Sequence, residues 1–240
     1  MRLLYIGSIL ILLGSDAAIS RPYAANQASV PFVGCRSDGQ LGPLPAPKRH
    51  PTPFLPAKIA AKLAYYAAAD EQGVLAPRGW HCFGIYGSNG QGLIVTSGTI
   101  DSRQFFRTNG FTTKADAVEL SYSYGGTSGR WAVANAIARY FPTYRTFIQT
   151  NFVGLDVGPL PNGPYPHDIL SHRSANAVRY LTPPFAVGAG TAGMLSPSSR
   201  PLYGLATLVG DAMEPNLSRV NVRLPKAYER LTNIIIGNVK

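Results

Sequence analysis

Two stretches of the chain alternate between apolar and polar residues with a period of two. In residues 118–124 (VELSYSY), apolar and aromatic side chains alternate with Glu119 and two serines, and in residues 217–224 (LSRVNVRL) valine and leucine alternate with polar residues. This period predicts β-strands with one buried and one polar face. Such strands are typical of antiparallel sheets that expose one face to water. We therefore expect Glu119, and Arg219 and Asn221 of the second strand, to face solvent.

Helical periodicity follows the first of these strands. Apolar residues in 131–141 recur at helical spacing, and Pro142 ends the pattern. A second short helix is predicted for 143–153 and a C-terminal helix after Pro225. The alanine-rich run from Pro56 to about Gln72 also predicts a helix, because alanine has the highest helix propensity.

Other segments predict strands and turns. Residues 80–86 and 93–96 form a predicted hairpin around the turn at 87–90, and 202–209 pairs with 217–224 in a second one. Residues 177–181 predict one more strand. The small residues of 187–199 are compatible with a mobile loop or with a plain surface crossing. Strands and helices follow one another without a βαβ rhythm, so we expect an α+β fold, an antiparallel sheet with helices packed on one face.

The N-terminal residues have the pattern of a signal peptide. Arg2 precedes the apolar run 3–13, and the small residues Ala18 and Ser20 precede a predicted cleavage point after residue 20. We expect a signal peptide at 1–20, an extended Pro-rich arm at 21–55 and a single α+β domain at 56–240. No later stretch has the length of a membrane helix, so no transmembrane segment is predicted in the mature chain.

The chain has two cysteines, Cys35 and Cys82. In an oxidising compartment an even pair is read as one disulfide, with two buried free thiols as the alternative. Without a C-x-x-C pair, a zinc site is not expected. Together with the signal peptide, the pair predicts a periplasmic or secreted protein.

The charge balance favours acidic partners. The chain has 22 Lys and Arg against 12 Asp and Glu, a formal net charge of +10. An anionic small molecule or an acidic envelope polymer would suit this charge. The basic residues form no long block and match no nucleic-acid-binding motif, which argues against nucleic acid as a partner.

A glycine-rich turn between the strand at 118–124 and the helix at 131–141 is the candidate binding site. Such a turn at a helix N-terminus presents backbone N–H groups that can bind a phosphate or carboxylate, and an arginine follows it. The competing interpretation is a structural turn in which a hydroxyl caps the helix. The candidate anion-binding residues are Gly125, Gly126, Thr127, Ser128, Gly129 and Arg130.

The same turn also resembles a nucleophile elbow, with Thr127 or Ser128 in the nucleophile position. Candidate partners lie downstream; they are Asp156, His167, Asp168 and His172. A hydrolase would require one of these histidines within hydrogen-bond reach of the hydroxyl. This activity is the alternative hypothesis.

Three segments resemble a family of exported bacterial proteins with no assigned activity. They are Val30–Cys35, Leu75–Gly84 and Tyr124–Arg130. The resemblance covers most of the mature chain and implies export, but it supplies no catalytic residue. The leading hypothesis is an exported, non-enzymatic binding or interaction module, with no cofactor and no metal site predicted.

Overall fold

A computed structural model describes residues 26–69, 72–152 and 159–239. The predicted signal peptide and Asp156 lie outside these residues. The described strands, in chain order, are β1 (Gln27–Ser29), β2 (Phe32–Cys35), β3 (Ser37–Gly39), β4 (Phe54–Pro56), β5 (Leu63–Ala68), β6 (Val74–Pro77), β7 (His81–Gly87), β8 (Gly90–Thr96), β9 (Ala117–Ser123), β10 (Ile169–Ser174), β11 (Ala177–Thr182), β12 (Leu202–Val209) and β13 (Asn216–Arg223). The α-helices are α1 (Ala57–Ala60), α2 (Arg130–Tyr140), α3 (Arg145–Asn151) and α4 (Thr232–Gly237).

An eight-stranded sheet forms the centre of the fold, in the order β10-β11-β12-β13-β9-β8-β7-β3. All its pairings are antiparallel except that of β3 with β7, which is parallel. A three-stranded sheet, β2-β5-β6, contains a second parallel pair, and β1 pairs with β4. The α+β class is confirmed, but the prediction of a purely antiparallel sheet is wrong. In both parallel pairs an edge strand from the N-terminal part of the chain, β2 or β3, lies beside a strand from later in the chain.

The helices lie on both faces of the large sheet, not on one. Leu217 of β13 packs with α2 and α3 in one cluster, whereas Val220 and Val222 pack with α4 and the three-stranded sheet in another. Side chains an odd number of residues apart on a strand point to opposite faces. We name these the α2 face and the α4 face.

The predicted helix at 56–72 is wrong beyond its first turn. Among the described residues of this stretch, only Ala57–Ala60 is α-helical, and Leu63–Ala68 forms β5, the middle strand of the three-stranded sheet, paired with β2 on one side and β6 on the other. Five of the six β5 residues are buried. Pairing on both edges and this burial outweigh the helix propensity of alanine.

Several local predictions are confirmed. β7 and β8 form the hairpin expected around 87–90, β12 spans the predicted 202–209, and α2 follows β9 as expected. The predicted strand at 177–181 corresponds to β11, one residue longer. Of the stretch 21–55, predicted to be an extended arm, the described part contributes β1 to β4 to the sheets.

A disulfide between Cys35 and Cys82 is present. It joins β2 of the three-stranded sheet to β7 of the large sheet, so it ties the two sheets together. In the described part of the chain, no helix has both the length and the apolar character needed to cross a bilayer.

Candidate anion-binding pocket

Most of the polar face of β9 and β13 is buried, contrary to the expectation that it faces solvent, and Arg219 is partly buried. Glu119 is 2% exposed, and Asn221 and Arg223 are fully buried. These residues share the α2 face with Leu217, because β9 and β13 pair with Glu119 opposite Asn221. Alternation in the sequence predicted the strands correctly, but the side it marked as wet is covered by other parts of the chain.

The buried polar groups form a connected network. The Glu119 carboxylate accepts hydrogen bonds from the Met194 backbone N–H (3.1 Å) and from the Asn221 side-chain amide (3.2 Å). Asn221 Oδ1 in turn accepts from the Tyr180 hydroxyl at 2.6 Å. Tyr180 lies two strands away from Asn221, and its ring spans Gly204 on the strand between them. A Cβ at Gly204 would lie 2.3 Å from that ring, so the network requires glycine there.

This network borders a cavity of about 250 Å³ between α2 and the sheet, which we name the Arg219 pocket. That volume is just below the range usual for small-molecule sites. Alanines of α2 and of the segment after Gly188 form much of its wall. Its polar lining residues are Asn135, Arg139, Tyr140, Tyr165, Tyr180 and Arg219.

Two polar groups of the pocket have no hydrogen-bond partner among the described residues. They are the Tyr140 hydroxyl and Arg219 Nε, both buried. Tyr140 is only 5% exposed. Leaving a buried donor or acceptor unpaired costs about 1–3 kcal/mol, so such groups usually have a partner. Both atoms have almost no accessible surface, so a ligand in the pocket could bond to them only after the two side chains turn toward the cavity.

The side chains that line the pocket carry positive charge, although the carboxylates of Glu119 and Asp168 lie close enough to raise the pKa of its tyrosines. Among the described residues that line it, two are arginines and none is acidic. Arg139 is already engaged, since its guanidinium lies 3.7 Å from the centre of the Tyr165 ring and donates to the Gly163 carbonyl. Arg219 forms no ion pair with a described carboxylate. It is therefore the guanidinium available to an anion.

Burial raises the pKa of three groups in or beside the pocket. It raises the pKa of the Glu119 carboxyl, an effect partly offset by the nearby Arg219 charge. It also raises the pKa of Tyr140 and of Tyr180 far above the ordinary phenol value. Both phenols therefore remain protonated and able to donate hydrogen bonds at physiological pH.

The small residues of 187–199 hold one wall of the pocket in place. Asp168 accepts hydrogen bonds from the Ala189 backbone N–H (2.8 Å) and from the Thr182 hydroxyl (2.7 Å). The Thr182 hydroxyl also accepts from the Gly190 N–H. Of the two interpretations of this segment, the structure favours a crossing packed against the sheet.

The turn at 125–130, predicted as an anion site, uses most of its polar groups internally. The Gly125 N–H donates to Asn216 Oδ1, and the Gly129 N–H donates to Thr127 Oγ1, which itself donates to the Tyr124 carbonyl. The backbone N–H groups of Thr127 and Arg130 donate to the carbonyls of Tyr124 and Thr127. The internal bonds of Thr127 are those of a structural turn.

The side chains around this turn are also unfavourable for an anion. The Glu214 carboxylate lies 3.2 Å from the position that a Cβ at Gly126 would occupy. The Arg130 guanidinium lies 6.0 Å from the centre of the Phe152 ring, and its Nε is buried without a hydrogen-bond partner among the described residues. Anion binding at 125–130 stays a prediction, and the Arg219 pocket has the stronger geometry.

We predict that Gly125→Ala lowers the free energy of unfolding by about 1–3 kcal/mol. The reason is steric, because neither Gly125 nor Gly126 has a positive φ. A Cβ at Gly125 would lie 2.1 Å from the Pro215 carbonyl oxygen, whereas one at Gly126 would meet only the flexible Glu214 side chain. Gly126→Ala is thus the matched control and should change stability by less than about 0.5 kcal/mol. Urea denaturation of both variants measures this, and equal effects would contradict the steric explanation.

The histidines considered for a hydrolase lie far from the turn. His172, on the edge strand β10, is aligned with Ser121 across four strand spacings, roughly 19 Å. His167 precedes Asp168, which contacts Thr182 at the opposite end of the sheet from the turn. The strand register aligns Thr182 with Ala117, at the start of β9, whereas the turn follows Ser123, at the end of β9. The two ends of β9 are six residues apart, roughly 20 Å. Neither histidine is positioned to activate Thr127 or Ser128.

Sequence reasoning missed the residues of the Arg219 pocket. They come from α2, from two non-adjacent strands and from the loop before β10, so no local motif contains them. One signal was present, since Arg219, Asn221 and Arg223 alternate on β13 and face Glu119 on β9. An acidic residue on one strand and basic residues on its partner strand can form a buried polar network or lie on a solvent-exposed face, and the sequence does not distinguish the two.

Comparisons with protein-family models, with curated proteins and with solved structures gave no match. The pocket is therefore interpreted from its own geometry.

Proposed function

We propose that this chain is an exported, non-enzymatic binding protein whose Arg219 pocket holds a small anionic ligand. One observation carries the proposal: Arg219 and Tyr140 line the same cavity. Among the described residues, the Arg219 guanidinium has no ion-pair partner and the buried Tyr140 hydroxyl has no hydrogen-bond partner. A guanidinium presents a planar fork that matches carboxylate, phosphate and sulfonate oxygens. The Tyr140 hydroxyl would donate to another ligand oxygen.

The shape of the pocket supports a binding role over a catalytic one. The hydroxyls of Tyr140 and Tyr180 are held protonated, and the one carboxylate in the network, Glu119, lies behind Asn221 and is not among the residues that line the cavity. A reaction would require a nucleophile or a general base in contact with the ligand. The described lining residues offer groups that bind and orient an anion.

Export is part of the proposal. It is supported by the Cys35–Cys82 disulfide, because disulfides persist in oxidising compartments. The sequence pattern of residues 1–20 points the same way.

We predict that small anions stabilise the wild-type protein and that Arg219→Met removes most of this effect. Methanesulfonate, sulfate and benzoate, each titrated in a thermal-shift assay, are suitable probes. An anion at about 100 times its dissociation constant should add about 2.7 kcal/mol to the stability of the native state. Losing a charge-assisted hydrogen bond of about 1.5–3 kcal/mol should weaken binding by roughly 10- to 150-fold.

Arg130→Met is the matched control for this experiment. Arg130 and Arg219 are both partly buried and both have a buried Nε without a partner among the described residues, but only Arg219 lines the pocket. The Arg130 variant should retain wild-type affinity. Loss of binding in the Arg130 variant alone would place the site at the turn, and the absence of any anion-dependent shift in the wild type would refute the proposed function.

A further inference from the structure

We propose that anion binding in the Arg219 pocket is coupled to protonation of Glu119, so that the protein binds its ligand more tightly as the pH falls. This inference rests on the proposed function. It assigns a role to a buried carboxyl group that does not line the pocket itself.

The first observation is that Glu119 is buried without an ion-pair partner among the described residues. It is 2% exposed, and its two oxygens accept hydrogen bonds only from neutral donors, the Met194 N–H and the Asn221 amide. No described Lys or Arg forms an ion pair with it. Burying a carboxylate in this way favours its protonated form.

The second observation is that Arg219, the cation whose charge acts on Glu119, also lines the ligand cavity. Asn221 lies directly opposite Glu119, and Arg219 and Arg223, two residues to either side of it, are both diagonal cross-strand neighbours. Arg223 is engaged by backbone carbonyls, which leaves Arg219. Diagonal neighbours have their Cα atoms roughly 7–8 Å apart, within reach of long side chains. The Arg219 charge lowers the Glu119 pKa, in opposition to the larger effect of burial. Arg219 is therefore shared between Glu119 and the pocket.

The consequence follows from linkage. An anion bound to Arg219 adds negative charge near Glu119 and draws the guanidinium away from it, so the pKa of Glu119 is higher in the bound protein than in the free one. Binding must then take up protons, and affinity must fall as the pH rises through the Glu119 pKa. For each unit by which binding raises that pKa, affinity should fall up to tenfold across the window.

Other titratable and charged groups face this region and must be distinguished from Glu119. The segment 188–196 and strand β8, which pack beside Glu119, carry none. The groups on the remaining elements are Arg139 and Tyr140 of α2, Tyr165, His167 and Asp168 of the loop before β10, Tyr180 of β11, and Arg219 and Arg223 of β13. Histidine is the residue type in this set that ordinarily changes charge between pH 5 and pH 8, so a variant of His167 is the necessary control.

The experiment measures the affinity of methanesulfonate by calorimetry from about pH 5 to about pH 8, a range that begins above the ordinary glutamate pKa and in which a sulfonate does not titrate. Measurement in two buffers with different ionisation enthalpies gives the number of protons taken up on binding. The wild type should take up protons and lose affinity with rising pH. His167→Gln should behave in the same way, whereas Glu119→Gln should bind with an affinity independent of pH.

The outcomes separate this inference from the proposed function. If methanesulfonate, sulfate and benzoate all fail to bind at every pH, the pocket proposal fails. Binding with no proton uptake, or a pH dependence that survives in Glu119→Gln, overturns the coupling and leaves the pocket intact. A pH dependence lost in His167→Gln assigns the effect to the histidine and also overturns it. If Glu119→Gln does not fold, the proton count of the wild type and of His167→Gln decides the question.

Discussion

Replacing Arg223 with methionine should lower the free energy of unfolding by about 3–5 kcal/mol, a large part of the stability of a typical domain. Arg223 is fully buried on β13. Its guanidinium donates to the carbonyl oxygens of Ala115 (2.7 and 3.0 Å), Thr113 (2.8 Å) and Ser196 (2.7 Å). It thus joins the strand to two separate loops.

The expected loss has a specific physical origin. Methionine fills a similar volume but donates no hydrogen bond, so the partly buried carbonyl groups of Ala115 and Ser196 lose their partner at about 1–3 kcal/mol each, whereas the Thr113 carbonyl keeps the Ser196 N–H. The loss is partly offset because the variant no longer buries a charge. Burial disfavours the charged form of Arg223, as its lowered pKa indicates. The net effect should remain large.

Guanidinium denaturation, with Arg173→Met as the control, measures this effect. Arg173 lies on the exposed edge strand β10, so its replacement should change stability by less than about 0.5 kcal/mol. A loss below about 1 kcal/mol for Arg223→Met would show that the Ala115 and Ser196 carbonyls find other partners, and would contradict the assignment of the lost stability to unpaired carbonyl groups.

Removing the disulfide should have a comparable effect. Cys35 and Cys82 are 47 residues apart in sequence, and closing a loop of that length is worth about 4 kcal/mol in the chain-entropy model. Cys35→Ala combined with Cys82→Ala should lower the free energy of unfolding by about that amount. The bond joins the three-stranded sheet to the large sheet, so we expect β2 and β5 to exchange their amide hydrogens fastest in the variant.

Urea denaturation of the oxidised protein, the reduced protein and the double variant measures this effect. Reduced wild type and the alanine variant should unfold at the same denaturant concentration, because both lack the same constraint on the unfolded chain. Equal stability of the oxidised and reduced wild type would show that the bond contributes nothing to the folded state.

Arg219 and Arg223 show how one strand serves two purposes. They lie four residues apart on the same face of β13, yet Arg223 satisfies backbone carbonyls whereas Arg219 forms no ion pair with a described carboxylate and lines the cavity. Since unpaired buried groups reduce stability, a folded chain that keeps one usually gains something from it. In this protein that gain is the proposed anion site.

Local sequence patterns determined the parts of the fold that depend on neighbouring residues. The β7–β8 hairpin, the order of β9 and α2, and the bounds of β12 follow from alternation, turn residues and helix-ending proline. The pairing of the only two cysteines needed no structure beyond an oxidising compartment. The strands, the turn and the helix depend on interactions between residues close in sequence. The disulfide could be predicted because two cysteines allow a single pairing.

The tertiary structure decided what surrounds each of these elements. Alternation shows that two faces differ but not which one meets water, and Glu119 is buried because the segment of Gly193 and Met194, about 75 residues away in sequence, packs over it. Likewise β5 is a strand because β2 and β6 supply edges on both sides, which local propensity cannot anticipate. The Arg219 pocket depends on the same long-range pairing, since its polar groups meet only when α2, β11 and β13 pack together.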